Sequence, residues 1–333
     1  MLPINNFVNT IRKVLLLSAT VTLLSITNIL AQDVDYETPI AIGTIENITW
    51  SYNSDGMLII DGNGVMPDFK EGDTPWYSFR HFIKSILIQS GVTTIGDWAF
   101  ANFSGLNSII IGNSVTSIGC EAFYGCGRVI SVTIPNSVKS IKESAFYGCS
   151  DLEYIFIGSS VSYIGNKAFH WCCSLNSFQV DNENMAYSSE NGVLFNKVKT
   201  KLIQYPEGKT DSDYSIPNSV YSIGRRAFYR CSALINITIG NSVVYISDMA
   251  FYGCNTLKSV TIGNNVVTIG NEVFYNCYNL TEIINLADSP QTINNTVFHG
   301  VNKNTCILRV PSTSISTYLT TNVWKDFLNI VGN

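Results

Sequence analysis

Nine cysteines and three histidines are the side chains in this sequence best suited to nucleophilic, redox or metal chemistry. Six of the cysteines, Cys126, Cys149, Cys172, Cys231, Cys254 and Cys277, each follow a phenylalanine by three residues. Cysteines stacked in one column come close enough in Cα distance to bridge. Their Cα–Cβ vectors run nearly parallel, however, and a disulfide needs a specific mutual orientation. A zinc site lacks its ligand set, because C-x2-C pairs are absent and His81, His170 and His299 are scattered. The column therefore reads as buried free thiols acting as small apolar groups. Cys120, Cys173 and Cys306 lie outside it, and the adjacent Cys172 and Cys173 read as coincidence rather than a redox pair. His170 and His299 sit just after a phenylalanine, where sibling segments carry Tyr or Ala, and are expected to be surface substituents. No Ser, Cys or carboxylate set recurs with them to build a triad. The run Asp181-Asn182-Glu183-Asn184 lacks the spacing of a calcium loop and reads as a polar turn. No catalytic residue, metal or cofactor is expected.

The elements that carry these side chains repeat. Phe100, Phe123, Phe146 and Phe169 are 23 residues apart, as are Phe228, Phe251 and Phe274. A fixed period of this length marks a solenoid, in which each coil buries its apolar face only against its neighbours. Isoleucine recurs five positions before each phenylalanine (Ile118, Ile141, Ile246), and apolar pairs follow at nine and eleven after it (Val132 with Ile134, Ile155 with Ile157). Alternation at two residues predicts a strand buried on one face. Gly or Pro then Asn and Ser bend the chain. A second short strand ends at the isoleucine, and a compact turn or a single helical turn carries the Ala-Phe step. The expected fold class is a β-rich α/β solenoid of roughly nine coils of ~23 residues with parallel strands about 4.8 Å apart.

The period fails once, where Phe169 to Phe228 spans 59 residues. Two apolar stretches about a short Lys-rich connection predict a β-hairpin in a variant coil, at about residues 181–215. Residues 32–90, with Trp50 and Pro75-Trp76-Tyr77, are expected to form an N-terminal β-rich cap. Residues 91–300 form the array, and 301–333, with Trp324 and Phe327, a C-terminal cap.

Residues 1–31 carry Arg12 and Lys13, an apolar run from Val14 to Leu24, and Ala31 at the end. That order predicts a secretory signal peptide and hence a secreted or cell-surface protein. No other stretch is long and apolar enough to span a membrane. Residues 91–333 hold 16 acidic and 15 basic residues, which excludes a nucleic-acid footprint.

The phrase Ile118-Gly119-Cys120-Glu121-Ala122-Phe123-Tyr124-Gly125-Cys126, with Ile134-Pro135-Asn136-Ser137-Val138 and Gly192-Val193-Leu194-Phe195-Asn196-Lys197, resembles the BspA-type leucine-rich repeat family of bacterial surface proteins. The resemblance covers about residues 50–330. It implies a right-handed leucine-rich-repeat array and a secreted or surface protein that binds host proteins, matrix components or other cells, and it points to no catalytic residue.

Recognition must come from variable positions between the buried columns. Eight and ten after the phenylalanine, Tyr154 and Phe156 form an aromatic pair among Thr133, Gln179 and Thr238, the first candidate for partner binding. A second row, Tyr124, Tyr147, Tyr229, Tyr252 and Tyr275, is either a structural ladder or a stacking platform for protein or sugar. A third feature is the basic stretch 195–230, with seven Lys and Arg against three acids. The expected function is a non-enzymatic, adhesin-like interaction protein that binds extracellular or host proteins or cells. The alternative is a carbohydrate-binding surface module.

Overall fold

A computed structural model describes residues 39–333; the expected signal peptide lies outside the described residues. About eleven coils of ~23 residues stack into a parallel β-solenoid. Longer strands such as Ser131–Ile134, Tyr154–Ile157 and Ser177–Val180 line one side. Two-residue strands such as Ser117–Ile118 and Ser140–Ile141 line the other. Register between the regular coils is one-to-one: Ile155 faces Val132 on one neighbour and Phe178 on the other. The count exceeds the nine coils expected because the ladder continues at both ends. Met57–Gly62 pairs in parallel with Ser85–Ile88. Ile307–Val310 pairs in parallel with Glu282–Asn285 and with Asn329–Gly332. These end coils lack the consensus phrase, which hid them from the period.

The phenylalanines form the spine of the core. Trp76, Phe100, Phe123, Phe146 and Phe169 pile ring on ring with centroids 5.2–5.7 Å apart. Tyr205, Phe228, Phe251, Phe274 and Phe298 form a second pile at 4.7–5.5 Å. All of these rings are buried. A tryptophan closes each far end, and its indole N–H finds a backbone oxygen: Trp76 Nε1 donates to Ala99 at 2.9 Å and Trp324 Nε1 to Gln291 at 2.8 Å. A buried indole needs such a partner.

The Ala-Phe step contains no helix. The residue two before the phenylalanine has φ of 50–59° in seven coils, from Trp98 and Glu121 to Glu272. The residue two after it has φ of 56–88° in eight, as Asn, Gly, Trp or Arg. Each is the third residue of a type II-like turn, closed by bonds such as Cys126 N–H to Phe123 C=O. The turns leave alternate N–H groups free to donate to the next coil. Glu121, Phe123 and Gly125 donate to Glu143, Ala145 and Tyr147 at 2.8–3.1 Å. A Cβ on Gly125 would lie 2.5 Å from Asn102 Oδ1, so a larger residue there would have to displace that amide as well as accept the positive φ. The α part of the expected class is confined to a single short helix, Ile315–Tyr318, among the described residues.

The thiol column does more than fill space. Cys126, Cys149, Cys172, Cys254 and Cys277 each donate to the backbone oxygen of the preceding coil's phenylalanine at 2.9–3.3 Å. These thiols are buried, and burial pushes them up in pKa, Cys126 and Cys254 to about 12. All nine cysteines are free. A chromogenic thiol reagent should therefore label the native chain rapidly at exposed Cys173 and slowly at half-buried Cys120, with the other seven reacting only in denaturant. Fast native labelling of the column, or fewer than nine reactive thiols after unfolding without reductant, would contradict this arrangement.

Candidate functional site

The variant coil divides the interior. Val193–Asn196 and Lys201–Gln204 pair antiparallel, as the expected hairpin. A third strand, Tyr187–Glu190, adds to its edge through Asn191-Gly192, both at positive φ. Asn-Gly is a strong hairpin signal that the reading of two apolar stretches passed over. Leu194 packs into the N-terminal half of the core, whereas Val193 and Phe195 pack into the C-terminal half. Alternation along one strand thus makes the seam between the two halves.

Asn184 shows what the acidic-looking run before the hairpin does. Its buried amide donates to Gly158 and Val161 oxygens at 2.8 and 2.9 Å and accepts from the Ala186 and Tyr187 N–H groups. Among the described residues, no three His, Cys, Asp or Glu converge as a metal site would require.

Polar chemistry concentrates at the seam. Glu207, 6% exposed, accepts the Trp171 backbone N–H at 3.0 Å. The Arg230 guanidinium lies 4.1 Å from the Trp171 ring centre, a cation–π contact. Trp171 and Arg230 occupy the positive-φ position that Gly fills in Gly125, Gly148 and Gly253. Such a conformation costs an L-residue roughly 1–2 kcal/mol. His170 corrects the sequence expectation. It is not a surface substituent but is 6% exposed, with its ring stacked on Tyr229 at 5.2 Å across the insertion. His299, at the equivalent position, is exposed as expected and stacks on Tyr275. Burial pushes Glu207 up to about 7, against the pull of the Trp171 N–H and Arg230. Burial, with Arg226 and Lys167 nearby, pushes His170 down to about 3.

Of the partner-binding candidates, the structure unites four. Thr133, Phe156 and Gln179 form one row across three paired strands, with Tyr154 beside them between Ser131 and Ser177. Tyr154 is 41% exposed and Phe156 is half-buried. Thr238 does not join them. It pairs with Ser215 and Thr261 in a separate ladder and lines a shallow depression with Asn218, Gly240, Asn241 and Ser242. The tyrosine row is a ladder of stacked rings: Tyr124 on Tyr147 at 5.2 Å, then Tyr229, Tyr252 and Tyr275 at 5.0–5.4 Å. Their faces cover one another and their edges meet solvent. The basic stretch is dispersed. Lys199 pairs with Glu190, Lys209 with Asp211, and Arg230 lies on Trp171.

The two buried groups make opposite pH demands. A carboxyl raised by folding contributes stability that is full below about 4.5 and lost as pH rises through about 7. A histidine lowered by folding contributes stability that is full above about 6.5 and lost as pH falls toward 3. From these two groups the urea midpoint should change little between about pH 4.5 and 6.5. Glu207→Gln should make stability rise with pH across that window, and His170→Tyr should make it fall, each by up to about 1.4 kcal/mol per pH unit. Variant profiles parallel to the unmodified protein's would refute the assignment.

The comparisons bear on the fold as a whole. The family model for the BspA type leucine rich repeat region matches residues 75–191 and 209–323 in six copies. A leucine-rich repeat protein from Eubacterium ventriosum ATCC 27560 is similar in structure at TM-score 0.64 and 28% identity, covering 83% of this chain and 80% of that one. A leucine rich cell surface protein from Faecalibacterium prausnitzii A2-165 superposes at TM-score 0.56 with 23% identity, over 89% and 96% of the two chains. The pneumococcal vaccine antigen PcpA does so at 0.54 with 17% identity, over 88% and 98%. No curated protein matches the chain. Period, paired strands and family model agree that this chain belongs to the BspA-type leucine-rich repeat proteins.

Proposed function

We propose that this protein is an exported, non-enzymatic, adhesin-like scaffold that binds partner proteins or other cells through its exposed strand faces. Membership of a family that is generally secreted or at the surface supports the setting, together with the charge, apolar run and small residue of 1–31. The observation that carries the binding role is the Tyr154–Phe156 pair. It stands on a strand whose neighbours present Ser131, Thr133, Ser177 and Gln179 at the same register. Sibling strands close the ladder without aromatic rings, so the rings at 154 and 156 are spare to the fold. Aromatic side chains on an open face supply much of the energy of protein interfaces.

The carbohydrate alternative is less favoured. A sugar lies on an aromatic face, and the faces of Tyr124, Tyr147, Tyr229, Tyr252 and Tyr275 are largely taken up by stacking.

The test is a binding screen of the purified chain against extracellular matrix proteins and a glycan array. Tyr154→Ser with Phe156→Thr, which copies sibling coils, should leave the unfolding midpoint unchanged. It should weaken the retained partner by about tenfold or more. Unchanged affinity for every protein partner would remove this patch, and binding confined to glycans would favour the alternative.

A further inference from the structure

The opposite face of the array, built from two-residue strands, carries an aromatic surface of its own. Just before the buried isoleucine, sibling coils have Ser117, Ser140, Ser222 and Thr268. In the first pair Ser140 Oγ donates to Ser117 Oγ at 2.9 Å, so serine suffices to finish this ladder. Tyr245 takes the same register position between Ser222 and Thr268, and Tyr163 takes it beside Ser140. Tyr221 and Val267 occupy the adjoining column, linked through Val244 by backbone bonds. Tyr163, Tyr221, Tyr245 and Val267 are 43–67% exposed. Tyr221 and Tyr245 meet edge to face at 5.3 Å, which leaves ring surface free, unlike the stacked tyrosine row.

Cations accompany these side chains. Lys201 is exposed and pairs through its backbone with Ser222, in the row that continues to Tyr245. Arg225 is exposed two residues beyond Ile223. Among the described residues, no carboxylate lies within 4.0 Å of either. The three acids of residues 195–230 are engaged elsewhere, and Asp248, at Arg225's equivalent position in the next coil, accepts the Asn271 backbone N–H at 2.8 Å. Glu207 is buried, Asp211 is held by Lys209 at 2.7 Å, and Asp213 accepts from Ser212 and Asn236.

We propose that this face docks an extended, acidic segment of a partner protein, with apolar side chains on Tyr221, Tyr245 and Val267 and carboxylates on Lys201 and Arg225. Charge complementarity selects the occupant. Two unpaired cations beside apolar side chains match a peptide that alternates acidic and apolar residues. They are too few for a nucleic-acid backbone, whose binding rests on neutralising many phosphates. An extended chain presents alternate residues to one side, so one edge of it can meet the rings while the other meets the cations. The inference rests on the reading of the array as a binding scaffold and names the partner chemistry for this second face.

The probe is a fluorescein-labelled twelve-residue peptide of alternating Asp and Leu, followed by anisotropy with the purified chain. Peptides of alternating Lys and Leu and of alternating Asp and Ser serve as controls. The Asp-Leu peptide should bind and the controls should not. Tyr221→Ser with Tyr245→Ser, which restores sibling residues, should weaken binding about tenfold or more. Lys201→Ser with Arg225→Asn should weaken it comparably and flatten its dependence on salt. Tyr154→Ser with Phe156→Thr should leave it unchanged. No binding by the Asp-Leu peptide, equal binding by a control, or equal affinity in all variants would overturn the proposal. A chain that ignores the peptide yet holds a matrix protein through Tyr154 and Phe156 would overturn this face alone and leave the general reading standing.

Discussion

A phenylalanine ring with another ring about five ångströms above it and another below cannot leave its place without disturbing both neighbours. Phe123, between Phe100 at 5.3 Å and Phe146 at 5.2 Å, is in that position, and so is Phe251 between Phe228 and Phe274. The backbone around each ring is bound to the next coil by N–H groups that the turns aim in one direction. The cysteine three residues on returns a thiol to the previous phenylalanine's oxygen. Ring and turn therefore repeat together, and a buried side chain three residues on completes each coil, a thiol in six of them and Phe103 or Val301 in the coils of Phe100 and Phe298. Because the interior is settled by these columns, the outward positions vary freely, and that freedom is what a binding surface needs.

The constraint is relaxed at one place. Between Phe169 and Tyr205 the spine is interrupted, and Phe169 turns to an edge-on contact with Phe178. The coils that flank this break hold Trp171 and Arg230 in strained turns, and a buried carboxyl and a buried imidazole join them. Strain and buried titratable groups cost stability, and they persist because the cores on both sides hold the seam closed. The exposed aromatic pairs lie on either side of it, Tyr154 with Phe156 before and Tyr221 with Tyr245 after. The array thus presents two different faces from two half-cores.

Much of the architecture was legible because a repeat writes the same burial pattern several times. The Phe, Ile and Cys columns, the paired strands and the Tyr154–Phe156 patch could all be read from the 23-residue spacing. The seam could not. His170 lies 59 residues from Tyr229, and only the fold of the insertion brings their rings together. Glu207 sits in a polar-looking loop whose burial depends on coils on both sides. Tyr163 and Tyr245 were visible as departures from serine, but that column is set by short strands whose outward direction only the register fixed. The end coils were missed because they lack the repeat phrase: Trp76 continues the stack on Phe100, whereas Trp324 closes it edge-on against Phe298.

The most direct measurement is equilibrium urea unfolding of Phe146→Ala beside the unmodified protein. Phe146 stacks on a ring above and a ring below and is fully buried. If the ring spine holds successive coils together, its removal should lower the unfolding free energy by about 3–5 kcal/mol. A loss below about 1 kcal/mol, with the thiols of Cys149 and Cys172 still protected, would contradict the account.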